Sequence, residues 1–281
     1  MIVVTGMHRS GTSMTASLLA GLGADFGAPG DMIAADQWNQ SGYFESKEAV
    51  GINLRLLLGT GVNVENWIHP PARPSARLVN VFTSGKWRYL LPATSAMVHR
   101  RADALSAEMA EFGRRSAGLF VKDPRFAVTY RYWRERAAIE AAVFCFRHPE
   151  AVCRSIAKRD LMPRSVAMRM WLQHNRDFAL SLSGDEPVVL VDYDRFFSPE
   201  AGDRIARLAR FVSAATGKPG NASAAASMID LKQRHHRTAD LPIGNGRARA
   251  VYEALARVSA GESEPVPAGR LRERLEKAGL R

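Results

Sequence analysis

Short apolar runs alternate along the chain with longer segments in which apolar residues recur every three or four positions. The runs predict buried strands at residues 2–5, 119–122, 141–146 and 187–191. The longer segments predict helices at residues 12–22, 47–59, 95–115, 127–137, 150–159, 163–183, 203–216, 247–258 and 267–278. Because strands that alternate with helices favour a parallel sheet, the pattern predicts an α/β fold of three layers, in which helices flank a central, mostly parallel sheet.

Two segments depart from this regular pattern. Residues 24–47 predict a loop, and residues 60–100 predict an irregular excursion that contains several Pro, Trp and Tyr residues. The chain beyond residue 240 is rich in Ala, Arg and Glu. We therefore expect a main domain over residues 1–240 and a helical tail over residues 241–281 that packs on this domain or extends from it.

The composition favours a globular protein and argues against a membrane-spanning or disulfide-rich secreted one. Of the 281 residues, 46% are hydrophobic, which is enough for a substantial core. No run approaches the roughly 18 apolar residues that span a bilayer, and the chain opens on a predicted strand where a signal peptide would stand. The two cysteines make no disulfide framework. These features predict a cytoplasmic protein without a transmembrane segment.

The formal net charge is +11, from 39 Lys and Arg against 28 Asp and Glu. Such an excess attracts anions, and the candidates are nucleic acid, an acidic membrane face and a small polyanion such as a nucleotide. The sequence has no zinc-finger spacing and no aromatic RNA-binding signature, so we expect no nucleic-acid partner. Peripheral contact with an acidic membrane face stays open.

Residues 6–13 (GMHRSGTS) lie between the first predicted strand and the first predicted helix. A loop in this position gathers backbone N–H groups, and the helix N-terminus adds unpaired donors and a partial positive charge. The spacing of Gly6 and Gly11 is that of a nucleotide P-loop, and Thr12 and Ser13 supply hydroxyls. The sequence therefore predicts an anion site, and the alternative is a tight turn without a ligand.

The loop departs from the P-loop of nucleotide hydrolases at one position. Those proteins carry Lys directly after the second Gly, where this chain has Thr12, and the fixed cation here is Arg9. This departure counts against an ATPase or kinase, which needs that Lys on the β- and γ-phosphates.

A second strand, turn and helix follow at residues 143–155 (VFCFRHPEAVCRS). Arg147 stands where the strand ends, and Ser155 lies about two turns into the next helix. A guanidinium fork and a hydroxyl in this arrangement can bracket a phosphate. Pro149 suits the first turn of a helix, where no N–H is needed.

The loop GxxRSGTS, combined with RHPxxVxxS after a later strand, resembles the superfamily of sulfotransferases that use 3′-phosphoadenosine 5′-phosphosulfate (PAPS). It is most similar to bacterial members with an Arg-Ser-Gly-Thr loop. The segments at residues 39–45 (NQSGYFE), 122–125 (KDPR) and 191–194 (VDYD) are similar as well. The resemblance runs over residues 1–237 and implies a P-loop-type fold and sulfuryl transfer from PAPS, without a metal, to a hydroxyl or amine.

The resemblance also implies roles for individual residues. In this family the first loop holds the 5′-phosphosulfate, and the later Arg and Ser, eight residues apart, hold the 3′-phosphate. The donor-binding residues implied here are Gly6, Arg9, Ser10, Gly11, Thr12, Ser13, Arg147 and Ser155. Arg9 stands where many relatives have Lys, and since a guanidinium stays protonated it is expected to act as an electrostatic clamp on the leaving oxygen.

The acceptor needs a general base. The resemblance puts Glu45 near the sulfate, and the alternative is a surface residue that favours the N-terminus of the next helix. His8, in the loop, is the second candidate base. Lys122 ends a central strand, the edge where open α/β sheets bind ligands, and is a candidate contact of the sulfate.

The remaining expectations concern the acceptor and two rival functions. A carbohydrate or glycolipid is the expected acceptor, and the loop at 24–47 and the irregular 60–100 region are expected to form its cleft, with Trp38 or Trp67 as candidate lining. The rivals are a P-loop kinase or other nucleotide phosphotransferase and a catalytically inactive nucleotide-binding relative. The sequence leaves the oligomeric state open.

Several other polar or aromatic features have a structural interpretation beside a functional one. Arg125 and Asp123 are as readily a pair of their own as part of the site. We expect Trp171 in the core, with an adenine platform as the alternative, and Cys145 and Cys153 buried as small apolar residues. We expect residues 234–237 (RHHR) to be a solvated basic run, and the alternative is that they close over the nucleotide.

Overall fold

The structure, a computed structural model, describes residues 1–34, 44–59, 96–160, 162–220, 241–262 and 264–280. Its strands are β1 (Ile2–Gly6), β2 (Phe120–Lys122), β3 (Ala141–Phe146), β4 (Pro187–Asp192) and β5 (Val266–Pro267). Its α-helices are α1 (Thr12–Gly21), α2 (Lys47–Leu58), α3 (Ala96–Ala104), α4 (Ser106–Arg115), α5 (Phe126–Arg134), α6 (Pro149–Asp160), α7 (Arg164–Ser181), α8 (Ala201–Thr216), α9 (Gly246–Gly261) and α10 (Ala268–Lys277). Short 3₁₀ helices cover Pro29–Asp31 and Tyr193–Phe197.

The strands form one sheet in the order β2-β1-β3-β4-β5. β1 pairs in parallel with β2 and with β3, β4 pairs in parallel with β3, and β5 pairs antiparallel with β4. The chain thus leaves β1 for one neighbouring strand and then returns to the other side of β1. Open α/β sheets bind ligands at such a reversal, outside the carboxyl ends of the strands. The topology points to the ends of β1 and β3, where Gly6 lies opposite Cys145.

Successive residues of the central strands contact opposite layers of helices, because strand side chains point alternately to the two faces of a sheet. Val3 and Phe144 lie in a core that includes residues of α5 and α7. Val4 and Val143 lie in a second core with residues of α1 and α8. Helices therefore cover both faces, which explains why these strands are continuously apolar in the sequence.

Local sequence explains where several helices begin and end. Ser46 caps α2, since its hydroxyl accepts the N–H of Ala49 at 3.3 Å, and Asn245 caps α9 by accepting the N–H of Ala248 at 3.0 Å. Gly217 ends α8 in the left-handed conformation (φ 69°) that favours glycine.

The predicted α/β fold with a central, mostly parallel sheet is confirmed, and each predicted strand lies within one residue of its predicted bounds. The single helix predicted over residues 95–115 is wrong, because Leu105 leaves the helical conformation (ψ 4°) and separates α3 from α4. No pattern predicts β5, because two residues carry no periodicity. Most of the irregular region predicted at 60–100 lies outside the described residues, which resume at Ala96.

The C-terminal segment is packed into the main domain. β5 adds an edge strand to the sheet, and the apolar face of α9 contributes Val251, Leu255 and Val258 to the same core as Phe144. Leu271 and Leu275 of α10 join that core as well.

Within the part of the chain that the structure describes, no helix has both the length and the hydropathy that a membrane span requires.

Candidate active site

The backbone conformation of the loop after β1 requires glycine at two positions. Gly6 has a φ of +147°, and a Cβ at this position would lie 2.1 Å from the carbonyl oxygen of Cys145 in β3. Gly11 has a φ of +90°, and its Cβ would lie 2.0 Å from Cδ2 of Tyr193. Arg9, between them, has a φ of 69°, which is uncommon for a residue with a side chain. Left-handed residues of this kind often stand at binding sites.

Helix α1 starts directly after this loop and presents its N-terminus to it. Gly11 is the N-cap, and none of the described side chains caps the first turn. The first N–H groups of a helix have no acceptor within the helix, and they carry the positive end of its dipole. Ser10 is buried, and its own N–H donates to the carbonyl of Met7 at 3.0 Å, which closes the loop. The loop and the helix end have the geometry that anion sites use, and the anion site itself stays a prediction.

The residues predicted to hold a phosphate meet between this loop and α6. Nε of Arg9 donates to Oγ of Ser155 at 2.8 Å, and Nη1 of Arg147 lies 3.4 Å from the carbonyl oxygen of Arg9. Arg147 is only 7% exposed, yet its Nε and Nη2 have no hydrogen-bond partner among the residues that the structure describes. Buried donors without an acceptor cost free energy, and an anion would satisfy them.

A corner after β4 supports Arg147 from two sides. The Tyr193 ring lies under the guanidinium, with Cζ of Arg147 4.4 Å from the ring centroid. Asp194 places Oδ1 3.8 Å from Nε of Arg147, and its Oδ2 accepts the N–H of His148 at 3.1 Å. The corner is fixed by Asp192, whose Oδ1 accepts the N–H of Asp194 at 3.1 Å.

Lys122, Glu45 and Ser13 meet on the other side of the loop, at the end of β2. Nζ of Lys122 donates to Oε1 of Glu45 at 2.7 Å and to Oγ of Ser13 at 3.2 Å. Lys122 is 1% exposed and Glu45 is 7% exposed. Glu45 reaches this place because its backbone pairs with that of Lys122 in an isolated parallel bridge. The buried ammonium therefore lies at the N-terminus of α1.

A buried polar chain continues from Glu45 into the core. Nη1 of Arg125 lies 3.6 Å from Oε2 of Glu45 and 2.7 Å from Oδ1 of Asp123. Oδ2 of Asp123 accepts from Nδ2 of Asn53 at 2.8 Å. Oδ1 of Asn53 in turn accepts from Thr129 at 2.7 Å and from the indole of Trp133 at 2.8 Å. Asp123 and Arg125 thus pair with each other, and Arg125 also contacts Glu45.

The two candidate bases are both in their proton-accepting form at neutral pH. Burial raises the pKa of the Glu45 carboxyl, but attraction to Lys122 and Arg125 lowers it by more than burial raises it. The net result is a pKa below the usual value. Burial and the nearby cations, Arg125 first among them, hold the pKa of His8 well below its usual value. The His8 ring also lies 6.3 Å, centroid to centroid, from the ring of His174.

The structure brings the predicted site residues together in two groups on either side of the loop. One group, towards β3, contains Arg9, Arg147 and Ser155, and the other, towards β2, contains Ser13, Lys122 and Glu45. Strand β1, which carries the loop, lies between β2 and β3 in the sheet. The roles assigned to these residues, and to His8, stay predictions.

Other sequence expectations can be checked only in part. Trp171 is fully buried, and its Nε1 donates to the carbonyl of Arg147 at 3.1 Å. Cys145 and Cys153 are buried free thiols. Trp38, Trp67, residues 39–43 of the NQSGYFE segment and the basic run at 234–237 lie outside the described residues.

Sequence reasoning named Tyr193 and Asp194 only within the similar segment 191–194 and gave them no role, and it missed Asn53. Asp194 and Tyr193 follow the last parallel strand, and that position at the carboxyl edge of the sheet is a usable signal. Asn53 stands alone among the apolar residues of α2, and an isolated amide in a buried helix face signals a polar partner.

Within residues 1–34, 44–59, 96–160, 162–220, 241–262 and 264–280, no group of three or more His, Cys, Asp and Glu side chains is placed to hold a metal ion. The expectation that no metal is needed stays a prediction.

Comparison with known proteins gives one structural similarity. The chain is similar to the sulfotransferase domain of the olefin synthase from Synechococcus PCC 7002, with 15% sequence identity and a TM-score of 0.40. The alignment covers 98% of this chain and 92% of that domain. No protein-family model and no curated protein sequence matches the chain.

Proposed function

We propose that the protein is a PAPS-dependent sulfotransferase that transfers the sulfuryl group to a hydroxyl or amine of an acceptor, with a carbohydrate or glycolipid as the expected class. The observation that carries this proposal is the buried guanidinium of Arg147, beside the N-terminus of α1. Within the described part of the chain, Nε and Nη2 of Arg147 have no hydrogen-bond partner and no side chain caps that helix. Two anion sites on adjacent strands fit a ligand with two separate anionic groups. PAPS is such a ligand.

The group towards β3 fits the 3′-phosphate of the donor. Arg147 supplies two unfilled donors, and Ser155 supplies a hydroxyl that now accepts from Arg9 at 2.8 Å. A planar guanidinium binds phosphate through two parallel hydrogen bonds, and the stacked Tyr193 ring keeps that plane fixed. Asp194 at 3.8 Å is too distant to fill the donors of Arg147.

The loop and the N-terminus of α1 fit the 5′-phosphosulfate. Backbone N–H groups and the hydroxyls of Thr12 and Ser13 would hold this group, with Lys122 beside Ser13. The guanidinium of Arg9 now donates to Ser155 at 2.8 Å, so its role at the 5′-phosphosulfate requires that the side chain turn from Ser155. Thr12 stands where a P-loop kinase needs Lys, so the residues present support this donor better than ATP.

The donor supplies a sulfuryl group whose bond to the 5′-phosphate breaks as its bond to the acceptor forms, which leaves negative charge on the phosphate. Arg9 would stabilise that charge electrostatically, since a guanidinium does not give up its proton at neutral pH. Lys122, held by Glu45 and Ser13, would contact the transferred group. These residues act by fixed charge, which costs no rearrangement during the reaction.

The acceptor loses a proton in this reaction, and Glu45 is the leading candidate to take it, with His8 second. Both accept a proton at neutral pH because the pKa of each is below its usual value. In this structure Glu45 is bound to Lys122 at 2.7 Å. A base role for Glu45 therefore requires that one carboxylate oxygen turn towards the acceptor.

The test is calorimetric titration with 3′-phosphoadenosine 5′-phosphate (PAP), the spent donor, in the absence of metal. We expect the wild-type protein to bind PAP, and we expect Arg147→Ala to weaken binding by at least about tenfold, because charged hydrogen bonds contribute about 1.5–3 kcal/mol each. Arg154→Ala is the matched control, since Arg154 lies in the same region of α6 but is exposed.

ATP with magnesium, titrated in parallel, separates the rival function. Weak ATP binding beside tight PAP binding supports the sulfotransferase. Preference for Mg-ATP would favour a phosphotransferase, and absence of PAP binding would remove the donor on which the proposal depends. Once PAP binding is established, a screen with PAPS and sugar or glycolipid acceptors identifies the substrate.

A further inference from the structure

The Tyr193 side chain contacts both halves of the anion site. On one side, its ring lies so close to Gly11 that a Cβ there would be 2.0 Å from Cδ2 and 2.8 Å from Cε2. On another side it lies 4.4 Å from Cζ of Arg147. Tyr193 is 5% exposed, so the ring is held in the interior between Gly11 and Arg147.

The sequence around Tyr193 fixes the ring in this position. Asp192, the last residue of β4, caps the 3₁₀ helix Tyr193–Phe197 by accepting the N–H of Asp194 at 3.1 Å. Asp194 accepts the N–H of His148 at 3.1 Å, which ties the corner to the start of α6. The Phe197 ring, 5.1 Å away, packs edge-on against Tyr193. The corner therefore has little freedom to move relative to Arg147.

We propose that Tyr193 is a positioning residue that couples the loop site to the Arg147 site, so that the two anionic groups of one donor are held at a fixed separation. This inference rests on the proposed function for the identity of the donor. The aromatic ring is the active part of the side chain, because it fills the space above Gly11 and presents its face to a cation. Tyr193→Phe keeps the ring and is expected to retain the coupling.

If Tyr193 couples the two sites, its removal should weaken ligands of either site, whereas a residue that acts at one site should affect only the ligands of that site. Arg147 is assigned to the 3′-phosphate and touches the loop only at the carbonyl of Arg9, 3.4 Å away. Arg147→Ala is therefore expected to weaken adenosine 3′-monophosphate and PAP much more than adenosine 5′-monophosphate. Tyr193→Leu removes the ring from both sites, so it is expected to weaken all three ligands. For PAP we expect a loss of at least about tenfold, from a cation–π contact and a packed ring.

The matched control is Phe196→Leu, which removes a ring of similar burial from the same 3₁₀ helix. Phe196 is 3% exposed and lines a small cavity with Leu208 and Arg207, away from the loop. We expect Phe196→Leu to bind the three nucleotides as the wild type does. Thermal unfolding of each variant checks that it is folded before titration.

Hydrogen exchange of the protein without ligand tests the coupling separately from the identity of the donor. Hydrogen exchange should be followed at the N–H of Ser10 and Thr15, which donate to Met7 at 3.0 Å and to Gly11 at 2.9 Å. Faster exchange at both in Tyr193→Leu, but not in Tyr193→Phe or Phe196→Leu, supports the coupling even if PAP does not bind and the proposed function fails. Unchanged exchange, or wild-type binding of adenosine 5′-monophosphate by Tyr193→Leu, would overturn it.

Discussion

At the scale of single residues, the site depends on charges that are buried and paired. Lys122 is 1% exposed and is paired with Glu45 at 2.7 Å, and Arg125 is 3.6 Å from the other oxygen of the same carboxylate. Burial of a charge is costly unless a partner compensates it. The Glu45 carboxylate therefore depends on both cations for compensation of its charge, and substitution of either cation is expected to raise the pKa of Glu45.

Lys122→Met is expected to lower the free energy of unfolding by about 3 kcal/mol at neutral pH, because it leaves the Glu45 carboxylate buried with only Arg125 beside it. The wild-type pair lowers the pKa of Glu45, so its contribution is present above the usual pKa of Glu and is lost as the pH falls through the folded value. Chemical denaturation of Lys122→Met and of Lys122→Met with Glu45→Gln measures the pair. Equal losses of unfolding free energy in the two variants would contradict this expectation, because the Glu45 carboxylate would then cost nothing when Lys122 is removed.

At the scale of elements, a buried amide holds α2 against α5 and the end of β2. Asn53 of α2 donates to Asp123, which follows β2, and accepts from Thr129 and Trp133 of α5. The amide orientation follows from this set, since the carbonyl faces two donors and the NH₂ faces a carboxylate. The packing of α2 thus determines where Asp123 and Arg125 lie.

Asn53→Ala is expected to cost about 3 kcal/mol in unfolding free energy, because three buried polar groups each lose a partner. Thr129→Val removes one of these hydrogen bonds and keeps the shape of the side chain, so a loss of about 1 kcal/mol is expected. Urea denaturation compares the two variants. Similar losses of unfolding free energy in the two variants would mean that Asn53 does not form all three hydrogen bonds at once in solution.

At the scale of the whole molecule, buried titratable groups make stability depend on pH in opposing directions. Burial lowers the pKa of His174 to about 4, and burial raises the pKa of Asp192 to about 7. The unfolded chain binds the His174 proton more readily, so this group lowers stability as the pH falls below about 6.5. The folded chain binds the Asp192 proton more readily, so this group raises stability as the pH falls through about 7.

His174→Gln is expected to remove the acid-sensitive contribution and to leave that of Asp192. Between about pH 7.5 and about pH 5 the wild type should lose about 2 kcal/mol through His174, which the variant should not lose. Unfolding free energies at the two pH values, measured for both proteins, give the difference directly. A variant with the same pH dependence as the wild type would assign the acid sensitivity to another group, such as His8.

The sequence by itself determined the layers of the fold, and it predicts the two segments that are proposed to bind anions. Apolar runs such as residues 141–146 and periodic segments such as residues 12–22 predict the strands and helices, because burial on both faces or on one stripe is a local property of the pattern. Gly6, Gly11 and Arg9 predict a loop for an anion because a strand–loop–helix junction is also local.

Only the tertiary structure decided which distant residues meet. The order β2-β1-β3 brings Lys122 to one side of the loop and Arg147 to the other, and strand order depends on crossovers that no local pattern records. The ring of Tyr193 reaches Gly11 across 182 positions, and the burial of Lys122 and Glu45 depends on the same packing. The pKa of Glu45 is lowered by the cations that this packing places beside it, which the local sequence does not record.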